Sequence, residues 1–400
     1  MENIMITIPD KIYFLKTIPD NISNSKYNEF SIYYENIIYP YSEVYDIEVI
    51  SKHGNDYKRF WRISNYYDNE PFDVTFKVYA PYGKLLAEKS VTMIPVDFHF
   101  SKPFNILCIG DSMTKGAMYM EHINNKLYNV NFKGIRSFNG HLFHEGRGGW
   151  RIDSYFKSIE NDPSPILFPI GFDNYYGNMD FYNLNKNFKD DMYYHSGYHH
   201  LRDIRENECY YSQGKLYSYD RKELSDDVKW EFSFKKYMER YDIGDLDAVS
   251  LLFGANDLQI TKYEDTEEHV NLYVNNMNVF INSIREYNPN LKIIINMPIP
   301  GADQNAWGFR SCLGSGKRYN YNMMKLGEAI IENYKNDKNI EICPMAICID
   351  TKSGFASTDV KTSNYSIETE KFQNNWVHPQ ESGYRQMGDA LAAIIEKLRN

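Results

Sequence analysis

The stretch Phe104 to Thr114, FNILCIGDSMT, constrains the fold more than any other part of the chain. Phe104 to Ile109 is a short apolar run of strand type. Gly110, Asp111 and Ser112 break it, and Met113 onward can start a helix. A strand that stops at a tight turn holds its last residues at the carboxyl edge of a sheet, where open α/β sheets place ligands. A serine there is exposed, and the following helix N-terminus offers N–H groups and a positive dipole. Those conditions suit a nucleophile whose attack creates an oxyanion. The same residues also make an ordinary polar turn between strand and helix, so Gly-Asp-Ser alone decides nothing.

The sequence on either side of this stretch has two different textures. Residues 1 to about 100 read as all-β, with strands expected at Ile12–Lys16, Phe30–Tyr39, Tyr45–Ile50, Arg59–Ser64, Phe72–Ala80 and Leu85–Val96. Turn residues such as Pro81-Tyr82-Gly83 separate them, and Asp73 to Val78 alternates polar and apolar. This predicts a small β-sandwich accessory domain over 1–100, with Pro95 to Pro103 as linker. From 103 onward strands alternate with helices, which predicts an α/β layered domain over 103–400. Strands are expected at Phe104–Ile109, Leu142–Glu145, Ala248–Phe253, Lys292–Asn296 and Ile340–Cys343. Helices are expected at Asp265–Tyr287, Tyr319–Tyr334 and Gly383–Leu398. Asp265 and Glu268 stand in capping-box spacing. Residues 151–240, rich in Tyr, Asn and Asp, read as an insertion over the carboxyl edge, either bordering the active site or a surface elaboration. His195, His199 and His200 lie in it without an obvious carboxylate or cysteine companion, which argues against a metal site.

Composition narrows the function classes. A net charge of -10 disfavours nucleic acid as the main partner and leaves no polybasic membrane patch. No apolar run approaches the roughly 18 residues of a membrane span. The N-terminus MENIMITIPDKIYF has no secretory pattern, so a cytoplasmic or virion-associated protein is expected. The five cysteines are scattered; Cys108, Cys343 and Cys348 sit in apolar runs as buried thiols, and no spacing suggests zinc. The 35 tyrosines fit either biased codon usage or a carbohydrate-binding surface. Oligomeric state is not readable from the sequence.

Three further stretches bear on Ser112. HEGRGGWRID, 144–153, puts a glycine pair after a strand, where a backbone N–H can approach a ligand. LLFGANDL, 251–258, ends a buried strand at Gly254 and presents Asn256 and Asp257 at the same edge. NNWVHPQESGY, 374–384, sets His378 just before a helix. Each has a plain structural explanation, as turn, strand cap or structural histidine. Together and in this order, GDSMT, GRGGW, GAND and NWVHP resemble the serine, glycine, Gly-x-Asn-Asp and terminal Asp-x-x-His blocks of the SGNH (GDSL-type) hydrolases.

The resemblance covers about 103 to 400 and implies a three-layer α/β/α, flavodoxin-like domain with a mainly parallel sheet. With the preceding β-domain it also resembles bacterial and phage-borne carbohydrate esterases. It implies Ser112 as nucleophile and His378 as general base and acid. It implies an oxyanion hole from the Ser112 N–H, the Gly149 N–H (or that of Gly148) and the Asn256 amide. No metal or organic cofactor is implied. Asp111 and Asp257 are expected to brace turns. Trp150, Trp307 and Trp376 are candidates to stack on sugar rings, and each is also a plausible core residue. The implied activity is hydrolysis of a small acyl ester, acetyl above all, on a carbohydrate; a long-chain lipase or thioesterase fits less well.

One position departs from the family pattern: Asn375 stands where the acid of the triad belongs. Three explanations are open. A backbone carbonyl orients His378, giving a Ser-His dyad. A carboxylate from elsewhere, such as Asp350, Asp359 or Glu381, reaches the ring. Or the chain is a degenerate carbohydrate-binding or virion-surface module that kept the fold.

Overall fold

The computed structural model describes residues 4–17, 28–138, 140–155, 209–212, 215–218, 232–240, 242–302, 316–373 and 375–400. Its central sheet has seven strands: β1 Phe104–Gly110, β2 Val130–Lys133, β3 Arg136–Phe138, β4 Leu142–Gly146, β5 Ala248–Leu252, β6 Lys292–Asn296 and β7 Ile340–Cys343. Their order is β3-β4-β1-β5-β6-β7, and β2 also pairs with β1. All pairings are parallel except that of β3 with β4. The strands β2 and β4 share one edge of β1: β2 pairs with Phe104 to Leu107, and β4 with Ile109 and Gly110. Strand β5, AVSLL, is buried at every residue, as a strand covered on both faces must be.

The chain leaves β1 towards β2 and β4 on one side, then later fills the other side with β5, β6 and β7. Right-handed crossovers therefore put the connecting helices on opposite faces of the sheet. Helix α1, Met118–Lys126, follows β1 and packs against the last helix, α4 Glu381–Arg399. Helices α2, Thr266–Tyr287, and α3, Gly316–Tyr334, follow β5 and β6 and pack against each other. Strand β1 is thus the point where the strand order reverses, which is where open α/β sheets place a ligand crevice. Among the described residues no helix is long and apolar enough to cross a membrane.

Strands β2 and β3 were not expected from sequence, because VNFK and RSF are short and half polar. The capping box at Asp265 does not form. Residues Tyr263–Asp265 are a 3₁₀ turn, and the Thr266 hydroxyl instead holds the start of α2, 3.0 Å from the Lys262 carbonyl and 2.7 Å from the Asn322 amide oxygen.

The first hundred residues contain a four-stranded sheet, in the order Lys11–Leu15, Leu85–Val96, Phe72–Tyr79, Asp46–Ser51, and a three-stranded sheet, Glu29–Tyr33, Phe60–Ser64, Asn55–Asp56. Trp61 of the second sheet meets Phe72 of the first with ring centroids 6.2 Å apart. The expected strand Phe30–Tyr39 is interrupted: a helical turn occupies Tyr34–Ile37. Tertiary contacts override the β-propensity of this run. The buried Asn36 amide donates to the carbonyls of Ala346, at 2.9 Å, and Ile349, at 2.7 Å, in the segment after β7. Beside it Arg59 donates to both Glu35, at 2.7 Å, and Asp350, at 2.9 Å, and Gln386 of α4 donates to the Tyr33 hydroxyl at 3.3 Å. The N-terminal sheets are therefore bolted to the α/β part by buried polar bonds as well as apolar packing. Asn36→Ala orphans two buried carbonyls and should cost about 1–3 kcal/mol, read as a lower urea midpoint at unchanged slope.

Candidate functional site

Close packing at two glycines sets the position of Ser112. At Gly110, the last residue of β1, a Cβ would lie 2.4 Å from the Thr114 hydroxyl and 2.6 Å from the Leu252 carbonyl oxygen. At Gly146, which ends β4, it would lie 2.2 Å from the Lys115 backbone nitrogen. Only glycine lets the turn carrying Ser112 settle against both neighbouring strands. Asp111 caps the short helix Ser112–Lys115, its carboxylate accepting the Met113 N–H at 3.0 Å. Ser112 is left partly exposed at the point where the strand order reverses.

Ser112 Oγ lies 2.7 Å from His378 Nε2. The histidine arrives on the segment before α4, and that segment leans on the turn 350–354. The Gln380 N–H donates to the Gly354 carbonyl at 2.8 Å, and the Gln380 side chain to the Ser353 carbonyl at 2.7 Å. The Asp350 carboxylate ties this turn together, accepting from the Lys352 N–H at 3.0 Å and from the Ser353 hydroxyl at 2.7 Å. Arg59, from the N-terminal sheets, holds the same carboxylate. The support of His378 thus reaches back into the first hundred residues, a connection that no local pattern announces.

Asn375 decides the chemistry of the ring. Its Oδ1 accepts two backbone N–H groups, from Val377 at 3.1 Å and from His378 at 3.0 Å. Only the oxygen of an amide can do this, so the orientation is fixed and Nδ2 faces His378 Nδ1 at 3.3 Å. An amide N–H₂ donates. Nδ1 therefore carries the lone pair, and the proton of the neutral ring sits on Nε2, towards Ser112. A general base needs the opposite tautomer. Burial also lowers the His378 pKa from its usual 6.5. None of the carboxylates considered from sequence takes up the role. Asp350 is held in its own turn and by Arg59, Asp359 is exposed on Ser357–Lys361, and Glu381 pairs with Arg385.

The other sequence candidates lie at the same edge. Gly149 is exposed, has φ +78°, and has no atom within 4 Å of where a Cβ would stand. At Gly148 a Cβ would stand 3.6 Å from the Lys115 side chain, so Gly149 is the more open of the pair. The turn's own hydrogen bond comes from the Trp150 N–H, to the Arg147 carbonyl at 3.3 Å. Asn256 follows β5, and its Nδ2 lies 3.1 Å from the Trp150 carbonyl and 3.5 Å from Asp111 Oδ2. Its amide thus links the serine turn to the glycine turn. Asp257 braces as expected, accepting from the Gly254 N–H at 3.1 Å and the Ile152 N–H at 3.0 Å. Burial pushes the carboxyls of Asp111 and Asp257 up to about 7.

Trp150 does not fit its expected role as a sugar platform. It is 1% exposed, with the Arg147 guanidinium 4.5 Å above its ring and Tyr155 edge-on at 5.0 Å. Arg147 and Tyr155, unremarked in the sequence, shape the floor of the glycine turn. Arg147 reaches buried Glu145 at 3.3 Å, and the Tyr155 hydroxyl is 2.8 Å from the Gly110 carbonyl oxygen. Charges flanking a glycine pair at the end of an apolar strand were the available signal. Trp376 is half-buried against the core beside His378, and its carbonyl accepts the Ala302 N–H at 2.9 Å. Trp307, His195, His199 and His200 lie outside the described residues, as does most of 151–240.

No protein-family model matches the chain, and no curated protein does. Solved structures do match. One is a family 3 carbohydrate esterase from Clostridium thermocellum, at 14% identity and TM-score 0.36, over 75% of this chain and 100% of that one. A second is Est24, a carbohydrate acetylesterase from Sinorhizobium meliloti, at 13% identity and TM-score 0.34, over 74% and 99%. A third is the salicylyl-acyltransferase SsfX3 of a tetracycline biosynthetic pathway, at 10% identity and TM-score 0.27, over 95% and 76%. Likeness at this distance decides neither substrate nor chemistry, which rest on the site itself. The site itself shows a mainly parallel sheet with the serine, glycine and asparagine stretches at its carboxyl edge and His378 brought against Ser112.

Proposed function

We propose that the chain is a serine esterase that removes small acyl groups, acetyl in particular, from a carbohydrate, with residues 1–100 as an accessory β-sandwich domain to a catalytic domain starting at 103. The observation that carries this reading is the 2.7 Å contact of Ser112 Oγ with His378 Nε2 at the sheet's switch point. Ser112 attacks the ester carbonyl, and its proton passes to His378 Nε2. The oxyanion is met by the N–H groups of Ser112 and Gly149, and by Asn256 once its amide turns from Asp111. His378 returns the proton to the leaving alcohol. Water then attacks the acyl-enzyme by the reverse proton path.

The first proton transfer requires the ring proton to sit on Nδ1, and Asn375 opposes this. Turning the amide over would offer its oxygen to Nδ1–H but release the Val377 and His378 N–H groups. Asn375 is exposed, so water can accept from both. The expected result is a working but slow esterase. The same amide orientation favours a second reading, a carbohydrate-binding module that kept the hydrolase fold and no longer turns over.

Turnover of p-nitrophenyl acetate and release of acetate from acetylated polysaccharide separate the two. The esterase predicts measurable turnover that is lost in Ser112→Ala. In a chymotrypsin-type triad the exchange of Asp for Asn costs about 10⁴ in turnover, so Asn375→Asp should raise the rate by up to that factor. A binding module predicts no turnover in the native chain. The pH profile adds a further check. Only the neutral ring is a base and burial lowers its pKa, so kcat/KM should rise through a midpoint below 6.5 and level off by neutrality. In Asn375→Asp the new carboxylate stabilises the imidazolium, and the midpoint should move upward.

A further inference from the structure

A cleft of about 340 Å³ lies in the N-terminal part, away from Ser112 and its partners in the fold, and its size is that of a small-ligand site. Four tyrosines, Tyr34, Tyr41, Tyr45 and Tyr57, line it. The Tyr57 ring is backed on one side by Phe60, stacked with centroids 4.9 Å apart at 29°, and remains 46% exposed. That is a flat aromatic face held in place before any ligand arrives. The Tyr34 hydroxyl donates to Asp56 and fixes that carboxylate in the wall. Glu43 and Asp46 add two more carboxylates, and Lys58 one ammonium.

We propose that this cleft binds a neutral saccharide. Three carboxylates repel an anion, and because Glu43 is paired with Lys352, Asp56 is held by Tyr34 and Lys58 stands in the same wall, little net charge is left to draw a cation. A polyol suits the mixture. Its hydroxyls donate to the carboxylates and accept from the phenols and the ammonium, while its C–H face lies on the Tyr57 ring. Burial, Glu35 and Glu43 raise the Tyr41 pKa, so that phenol keeps its proton as a donor. The cleft also borders the α/β part. Glu43 reaches Lys352 at 3.6 Å, and Arg59, next to Lys58, binds Asp350. A polysaccharide long enough to span from this cleft to Ser112 gains effective concentration there. The binding claim stands without the esterase reading; only this last consequence rests on it.

The test is calorimetric titration of full-length Ser112→Ala protein, which cannot deplete an ester, with cellohexaose, xylohexaose and mannohexaose. At least one should bind. Tyr57→Ala in the same background should weaken it at least about tenfold, the usual effect of a central aromatic contact, and Asp46→Asn should weaken it too, with circular dichroism unchanged. In the otherwise native chain Tyr57→Ala should leave p-nitrophenyl acetate turnover unchanged and raise KM for polysaccharide alone. The proposal is overturned if none of the three sugars binds, or if binding ignores both substitutions. Displacement of the bound sugar by choline, which would mark a cation site, also overturns it.

Discussion

Ser112 and His378 are 266 positions apart in the chain and 2.7 Å apart in the fold. Holding that contact is the constraint on which the rest of the α/β part depends. One end is set by a strand that stops at a glycine and a turn pressed against β4 and β5. The other is set by a short segment before the last helix, which has no strand of its own and must lean on a neighbour. That neighbour is the turn 350–354, and a carboxylate, two side-chain donors and an arginine from the N-terminal sheets keep it in shape. Ser112 is positioned by backbone packing, His378 by a chain of polar bonds. The two halves of the site therefore have different sensitivities: the first to any added Cβ, the second to the loss of any one charge.

The polarity of the contact is as important as its length. A histidine next to a serine is a base only if its proton is on the far nitrogen. Here the far nitrogen faces an amide N–H₂ whose direction is dictated by two backbone donors. Three hydrogen bonds within a four-residue stretch thus set the resting protonation of the ring. Asp111, Asn256 and Trp150 form a second local network that joins the serine and glycine turns. The asparagine amide faces protein acceptors, with which the oxyanion of the proposed esterase would have to compete.

Much of this was legible in the sequence, and the exceptions have a common cause. The apolar runs that became β1, β5, β6 and β7 are continuous and flanked by breakers, so both existence and type could be read. Ser112 and Asn256 follow the ends of β1 and β5, and Gly149 follows the end of β4, so their places could be read from strand endings. The short β2 and β3 carry too little apolar pattern to be seen. The strand run Phe30–Tyr39 was misread because Asn36 finds its partners 310 and 313 residues away. For Trp150 the sequence left core and sugar platform open, and Arg147, three residues before it, decides for the core by covering its ring. Local sequence records propensity and period; it does not record which distant carbonyl a buried amide will meet.

The bond between Arg59 and Asp350 carries a consequence for how such a chain can be inherited or rearranged. Residues 95 and 96, expected in the linker, close the strand Leu85–Val96, so an exchange of the N-terminal sheets between chains would have to cut between Val96 and Phe104. In this chain the exchange would remove the guanidinium from the turn under His378 and leave Asp350 facing a new surface. Arg59, Asp350 and Glu35 must therefore change together or not at all. A chimera joined there without this trio would lose the arginine's hold on the turn that supports His378.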